Sequence, residues 1–322
     1  MKFTQEISNK LIIVEGLTGL GKSTLAHFIA RQLQYHDIAA TWVHEGELEH
    51  PLSIEVDSGI DIFMQTALDK WRGLVSQIES SGGHTILEAC VFNNLFETLF
   101  SHNVPTPKIY RYSDVLQDTI KPLQPALVYL TQNDVSKALA DNFRNRGPGF
   151  RDFVIKFATA TPYAQHRGLV GYEGMIKFWH DFVALTDQLY ERFRFQKIAL
   201  LNSVGNWESL NQLVLDFLSI PFVPEMQLSD DEVVSFTGAY KDQRSGREFT
   251  VRYQNHYLVA NIFLDSWTRL IPKTIGTFIA DGWHFIVCFE KDASGKIESL
   301  RIEGQDVDYH SLVGTVAERV SN

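Results

Sequence analysis

Lys22 and Ser23 stand at the end of a glycine-punctuated run, Gly16-Leu17-Thr18-Gly19-Leu20-Gly21-Lys22-Ser23-Thr24. The spacing Gly-x-x-x-x-Gly-Lys-Ser is that of a loop whose backbone N–H groups converge on phosphate oxygens, because glycine admits the backbone conformations and the close approach this requires. In such a loop the lysine reaches the β- and γ-phosphates, the serine hydroxyl ligates Mg2+, and the helix that follows adds the positive end of its dipole. The apolar run Leu11-Ile12-Ile13-Val14 precedes the loop and an amphipathic stretch from Thr24 to Tyr35 follows it, so strand, loop and helix come in the order the motif needs. A Gly-rich turn with no ligand is the bland alternative, and the coincidence of strand, complete motif and helix argues against it. The pattern implies ATP or a similar triphosphate, with Mg2+, held by Gly16, Leu17, Thr18, Gly19, Leu20, Gly21, Lys22, Ser23 and Thr24.

Two further groups of residues fit the chemistry of a phosphate site. The apolar segment His84-Thr85-Ile86-Leu87-Glu88 ends in a carboxylate, where an acidic residue can orient Mg2+ or its water, although acids also end strands for no reason beyond solvation. The segment Asn142-Phe143-Arg144-Asn145-Arg146-Gly147-Pro148-Gly149-Phe150-Arg151 closes a helical pattern with three arginines around a turn. Cations there can neutralise charge on a transferring phosphoryl group and exclude water on closing, whereas a plain basic helix end would serve only the helix dipole.

The run Ile13-Val14-Glu15-Gly16 leading into Gly19-Leu20-Gly21-Lys22-Ser23-Thr24 resembles the thymidylate kinase and deoxynucleoside kinase branch of P-loop kinases. Weaker motifs extend the resemblance over residues 10–220. It implies a five-stranded parallel sheet, ATP as donor, and an acceptor hydroxyl or phosphate beside the loop. By the same resemblance Arg144 and Arg146 correspond to the arginines of a lid, and Arg151 less closely so. Kinases of this branch carry a glutamate after the second strand that takes a proton from the acceptor; here that strand ends Thr41-Trp42-Val43-His44 and Glu45 matches it, with Glu47 as the alternative in register. An exposed acidic loop at 45–50 is an equally good reading of those residues. The family places an arginine directly after the acid of the third strand, whereas Ala89 and Cys90 follow Glu88 here, so family-type substrate contacts are not carried over. Phe92, Asn93 and the Gly-flanked loop expected at 162–169 offer amides, aromatics and Arg167 for an acceptor pocket; Trp179 reads more readily as core.

The elements that must position these groups are legible from periodicity. Apolar runs at 11–15, 39–44, 85–89, 126–131 and 197–201 alternate with helical patterns at 22–35, 61–80, 115–123, 134–143, 173–193 and 207–218. Parallel strands need helical crossovers, so the expected fold is a three-layer α/β sandwich around a parallel five-stranded sheet over residues 1–220. A Pro-containing, acidic joint at 221–231 separates it from a β-rich region, 232–322, with strands expected at 249–253, 257–264, 277–280, 284–290 and 297–303. Phe236-Thr237-Gly238-Ala239-Tyr240 and the turn Asp292-Ala293-Ser294-Gly295 resemble the small lipocalin-like barrel appended to some penicillin-binding-protein-like hydrolases. That resemblance implies a small antiparallel barrel, a module without known chemistry that would suit a ligand, an active-site cover or a subunit contact such as a homodimer.

Composition narrows the partners. The 322 residues carry a net charge of −10, the opposite of what a phosphate-backbone partner needs, so a small-molecule acceptor is expected rather than nucleic acid. A hydrophobic fraction of 44% with 21% charged residues describes a folding chain, and two such domains are expected at this length. Met1–Glu6 shows no leader pattern and no apolar stretch reaches a membrane span, so no membrane partner and a cytoplasmic location are expected. Cys90 and Cys288, far apart in sequence, suggest reduced, buried thiols and neither a disulfide framework nor a zinc site. Two functions follow: a phosphotransferase acting on a nucleoside, nucleotide or other alcohol, or a nucleotide-binding regulatory protein with slow hydrolysis and no acceptor.

Overall fold

The computed structural model describes residues 7–54, 59–202, 206–263, 266–307 and 311–320. Met1–Glu6 and Leu264, on which sequence expectations bear, lie outside the described residues. Two compact units emerge: residues 1–45 with 49–222, and residues 46–48 with 223–322.

The first unit is built on a wholly parallel sheet in the order β2-β3-β1-β4-β5, with β1 at Leu11–Gly16, β2 at Ala40–Val43, β3 at His84–Glu88, β4 at Ala126–Thr131 and β5 at Gln196–Leu201. The near-continuous apolar runs of β1 and β4 are what a strand covered on both faces requires, and every residue of β1 is buried. The chain leaves β1 toward β2 on one side and reaches β4 on the other, so the carboxyl end of β1 lies at the reversal of strand order, where open α/β sheets bind ligands.

Helices α1 (Lys22–Tyr35) and α2 (Ile60–Ser81) follow the sequence pattern closely. Between β3 and the next long helix the chain makes a π-helical turn at Cys90–Phe96 and a short α3 at Glu97–Ser101, neither of which has a readable period. Helix α4 (Thr106–Ile120) starts well before the expected 115, since Pro107 falls in the first turn where a missing N–H has no partner to lose. Helix α5 (Val135–Ala160) runs far beyond the expected 143; it breaks at Gly147, φ 82°, and resumes with Pro148 in its first turn. The expected loop at 162–169 is instead α6 (Pro162–Arg167), capped by the Thr161 hydroxyl and ended by Gly168. Helices α7 (Gly171–Arg192) and α8 (Trp207–Leu218) complete the two outer layers.

The second unit opens with α9 (Asp230–Ser235), inside the acidic stretch whose composition suggests a joint. Ser229 and Glu232 form a reciprocal capping box there, so the acids stabilise a helix start as well as meeting solvent. Eight antiparallel strands then close a barrel in the order β10-β11-β12-β13-β6-β7-β8-β9. They are β6 (Gly238–Lys241), β7 (Glu248–Gln254), β8 (Tyr257–Phe263), β9 (Ser266–Thr274), β10 (Thr277–Ala280), β11 (Phe285–Lys291), β12 (Ile297–Gly304) and β13 (Val316–Arg319). The interior is filled by Phe236, Tyr240, Phe249, Phe278 and Phe285, so this barrel is a packed core rather than a ligand cup. The segment 46–48 belongs to this unit: Glu47 bridges to Val307 and His284 Nε2 lies 2.9 Å from Glu47 Oε1.

Candidate active site

The glycine-rich loop leaves β1 at its carboxyl end and runs into α1, and two of its glycines are there because nothing larger fits. Gly19 and Gly21 hold φ at 83° and 84°, a region that disfavours a side chain. A Cβ on Gly19 would stand 2.5 Å from Asn142 Cγ, and one on Gly21 would stand 2.3 Å from Trp207 Cη2. The loop is thus packed beneath side chains of α5 and α8, and Asn202, just past β5, donates to Leu20 O at 2.7 Å. Lys22 opens α1 and is 7% exposed, at the end where the first N–H groups of that helix have no intrahelical acceptor.

Register then carries the carboxylates to the lysine. Val14 pairs with Glu88 across β1 and β3, which sets Glu88 abreast of the start of the loop. Ser23 Oγ donates to Glu88 Oε1 at 2.9 Å, the Glu45 N–H reaches the same oxygen at 3.4 Å, and His44 Nε2 lies 3.6 Å from it. Glu88 is fully buried, and its Oε2 has no hydrogen-bond partner among the described residues. Burial, followed by the charge of Glu45, pushes its proton affinity up, with Lys22 and Ser23 opposing. A hydroxyl and a buried carboxylate oxygen with spare capacity are hard-oxygen donors, a pair suited to Mg2+ that keeps its remaining positions for water and phosphate.

Two more carboxyls lie within electrostatic range. Glu15, the last side chain of β1, is wholly buried and accepts from the Val91 N–H at 2.6 Å and the Asn93 N–H at 3.4 Å. Burial raises it to about 7, against the pull of those amides and Lys22. Glu97, in the first turn of α3, keeps some solvent contact, yet loss of solvation and then the Glu45 and Glu15 charges push it up to about 8, with Lys22 opposing. Glu45 itself is exposed at the mouth of this group. Four carboxyls therefore lie near one lysine, and burial first, then the charges of neighbouring carboxyls at Glu88 and Glu97, favours the protonated forms of Glu15, Glu88 and Glu97.

The arginines of α5 occupy the last turn before the Gly147 break. Arg144 is 74% exposed and pairs with Asp141 at 2.9 Å, while the Arg146 guanidinium lies 3.8 Å over the Phe150 ring. Arg151 pairs with its neighbour Asp152 in solvent. The structure brings Lys22, Ser23, Glu88 and Glu45 together and keeps Arg144 in a surface ion pair of the kind that contributes little to stability.

The remaining residues offered for an acceptor pocket have other roles. Phe92 is buried with its ring edge-on to Tyr129, and Trp179 is core between Phe178 and Phe182. Arg167 stacks on Tyr163 and donates to Asn103 Oδ1. Cys90 is buried and Cys288 half-buried, and neither is in a disulfide. Glu15, Glu97, Asn142 and Trp207 were not singled out by sequence reasoning. A charge at the end of an apolar strand was a signal for Glu15; nothing local marks the other three.

No family model and no curated protein matches the sequence. Among solved structures, a sugar kinase from Janibacter sp. HTCC2649 is similar at 16% identity and a TM-score of 0.39, over 66% of this chain and 95% of that one. Thymidylate kinase from Ehrlichia chaffeensis follows at 12% identity and 0.38, over 65% and 97%. Deoxyadenosine kinase from M. mycoides, with bound dATP, stands at 14% and 0.38, over 65% and 99%. At this identity and TM-score the likenesses carry no argument about chemistry, which rests on the site itself.

Proposed function

We propose that this chain is a Mg2+-dependent phosphotransferase that moves the γ-phosphoryl group of ATP or a similar triphosphate to a hydroxyl of a neutral or cationic small molecule. The observation that carries the reading is the 2.9 Å contact of Ser23 with the buried Glu88 at the end of a complete phosphate loop. Loop amides and Lys22 hold the triphosphate, and a divalent ion on Ser23 and Glu88 would neutralise charge between the β- and γ-phosphates. Glu45, exposed beside the metal-side carboxylate, takes the hydroxyl proton as the acceptor oxygen bonds to phosphorus and the bond to the bridging oxygen breaks, releasing the diphosphate. Arg144 and Arg146 complete the charge balance when α5 closes over the phosphates, with Gly147 as the hinge.

The acceptor class follows from charge. Four carboxyls already share Lys22, and no arginine follows Glu88, so an acceptor bearing its own phosphate would add anionic charge to a site that already represses ionisation. A hydroxyl-rich neutral molecule or an amino alcohol meets no such repulsion. The test is a coupled nucleotide-consumption screen over nucleosides, nucleoside monophosphates, sugars and aminoglycoside-like alcohols, with mass spectrometry of the product. Consumption with no phosphorylated acceptor would favour the regulatory, slowly hydrolysing alternative.

A further inference from the structure

A cavity of about 500 Å³ lies over the phosphate loop, lined among others by Gly19, Leu20, Gln132, Asn142, Asn202 and Trp207. Two of its side chains are chemically incomplete. Asn142 is 6% exposed and its Nδ2 has no hydrogen-bond partner among the described residues, and the buried Gln132 Nε2, one residue past β4, has none among them either. Buried amide donors are almost always satisfied, and one left alone in the interior is costly, so two in one cavity call for an acceptor that enters from outside. Asn142 also lies against the loop itself, since its amide fills the space a Cβ on Gly19 would need. The side chain projects from the first half of α5, on the turn before Arg144, so the helix carries it over the loop before either arginine has to move.

We propose that Asn142 is a phosphate-holding residue whose Nδ2 donates to an oxygen of the triphosphate chain seated in the glycine loop. The inference rests on the phosphotransferase reading and adds a donor that reaches the anion from above, opposite the loop amides. It also explains why α5 packs a polar side chain rather than an alanine against Gly19: the amide is left unsatisfied in the free protein and satisfied in the bound one. Asn142 is a ligand to the nucleotide, with no proton transfer of its own.

The test is titration calorimetry of the full chain and its Asn142→Leu and Asn142→Ala variants with Mg·ATP and with Mg·tripolyphosphate, alongside Lys22→Ala. Removing a hydrogen bond to a charged group should weaken both ligands by about ten- to a hundred-fold in each Asn142 variant. Thermal unfolding of the unliganded Asn142→Leu protein should be no lower than that of the parent, because a buried unsatisfied donor has been removed from a site of similar volume. A purely structural asparagine would lower that temperature and leave affinity alone, which overturns the proposal. Weakened ATP with unchanged tripolyphosphate would place the amide on the base or ribose and also overturn it. If Lys22→Ala loses binding while both Asn142 variants bind like the parent, this inference fails and the phosphate-loop reading stands; if the parent binds neither ligand, both fail.

Discussion

Replacing Glu15 by glutamine should make the protein's stability markedly less sensitive to pH. Glu15 is fully buried at the end of β1, and its carboxyl titrates near 7 rather than 4.5 because burial disfavours its charge. The folded state therefore binds this proton more tightly than the unfolded chain does. Its contribution is fully present below about pH 4.5, drains as the pH rises toward 7, and is level above that. At about 1.4 kcal/mol for each tenfold change in proton affinity, the loss between pH 5 and pH 8 is on the order of 2–3 kcal/mol. Glutamine is neutral throughout and keeps an oxygen for the Val91 N–H, so that part of the loss disappears. For a unit of this size about 1 kcal/mol moves the melting temperature by roughly 2–4 °C, so parent and variant curves should converge at pH 5 and separate by about 5–10 °C at pH 8, the variant melting higher. Glu88 titrates in both proteins and cancels in the difference, while Glu97 loses the repulsion of the Glu15 charge in the variant, which widens the separation in the same direction. The assay is thermal unfolding without nucleotide at pH 5, 6, 7 and 8. Parallel profiles would refute the claim that burial governs this carboxyl.

Gly21→Ala should abolish nucleotide binding at micromolar concentrations and lower the melting temperature, because the new Cβ meets the Trp207 ring at 2.3 Å on a backbone with φ 84°; calorimetry and a melt read both. Once the screen yields an acceptor, Arg144→Ala or Arg146→Ala should lower kcat by tens- to a thousand-fold, on the scale of a lost transition-state charge, with little change in the KM for ATP. Glu45→Gln should likewise reduce transfer and leave ATP binding near normal; unaltered turnover would remove the base from this position. A chain ending at Phe222 should retain an α/β circular dichroism spectrum and a cooperative melt, since the first unit has its own core, although Glu47 would lose His284 and Val307. An unfolded product would show the barrel to be required for that core.

Glu47 shows where reasoning along the chain stops. Along the chain Glu45 matched the base with Glu47 as the alternative in register; the structure engages Glu47 with His284, 237 residues away, and leaves Glu45 exposed beside Glu88. Helix α6 was misread for a related reason: Gly168 looks like loop punctuation, but beside a Thr161 cap it ends a helix, and Tyr163 anchors that helix by packing on Phe100 and Phe178. The long second half of α5 hid behind Gly147-Pro148, a pair that can end a helix or, as here, end one and begin another.

The sequence by itself determined the local features: the glycine loop, the strand before it, the helix after it, the alternation of strands and helices, and the change to β structure past residue 230. Each is written in neighbouring residues, because phosphate cradles, caps and amphipathic periods are short-range devices. Only tertiary structure decided which charges share a site. Glu15, Glu45, Glu88 and Glu97 come from different elements, and the raised proton affinities of Glu15, Glu88 and Glu97 arise from burial and, at Glu88 and Glu97, from the charges of carboxyls on other elements rather than from anything adjacent in the chain. The amide of Asn142 over Gly19 is of the same kind: neither residue hints at the other, and the fold sets positions 123 apart in sequence so close that a Cβ on Gly19 would stand 2.5 Å from Asn142 Cγ.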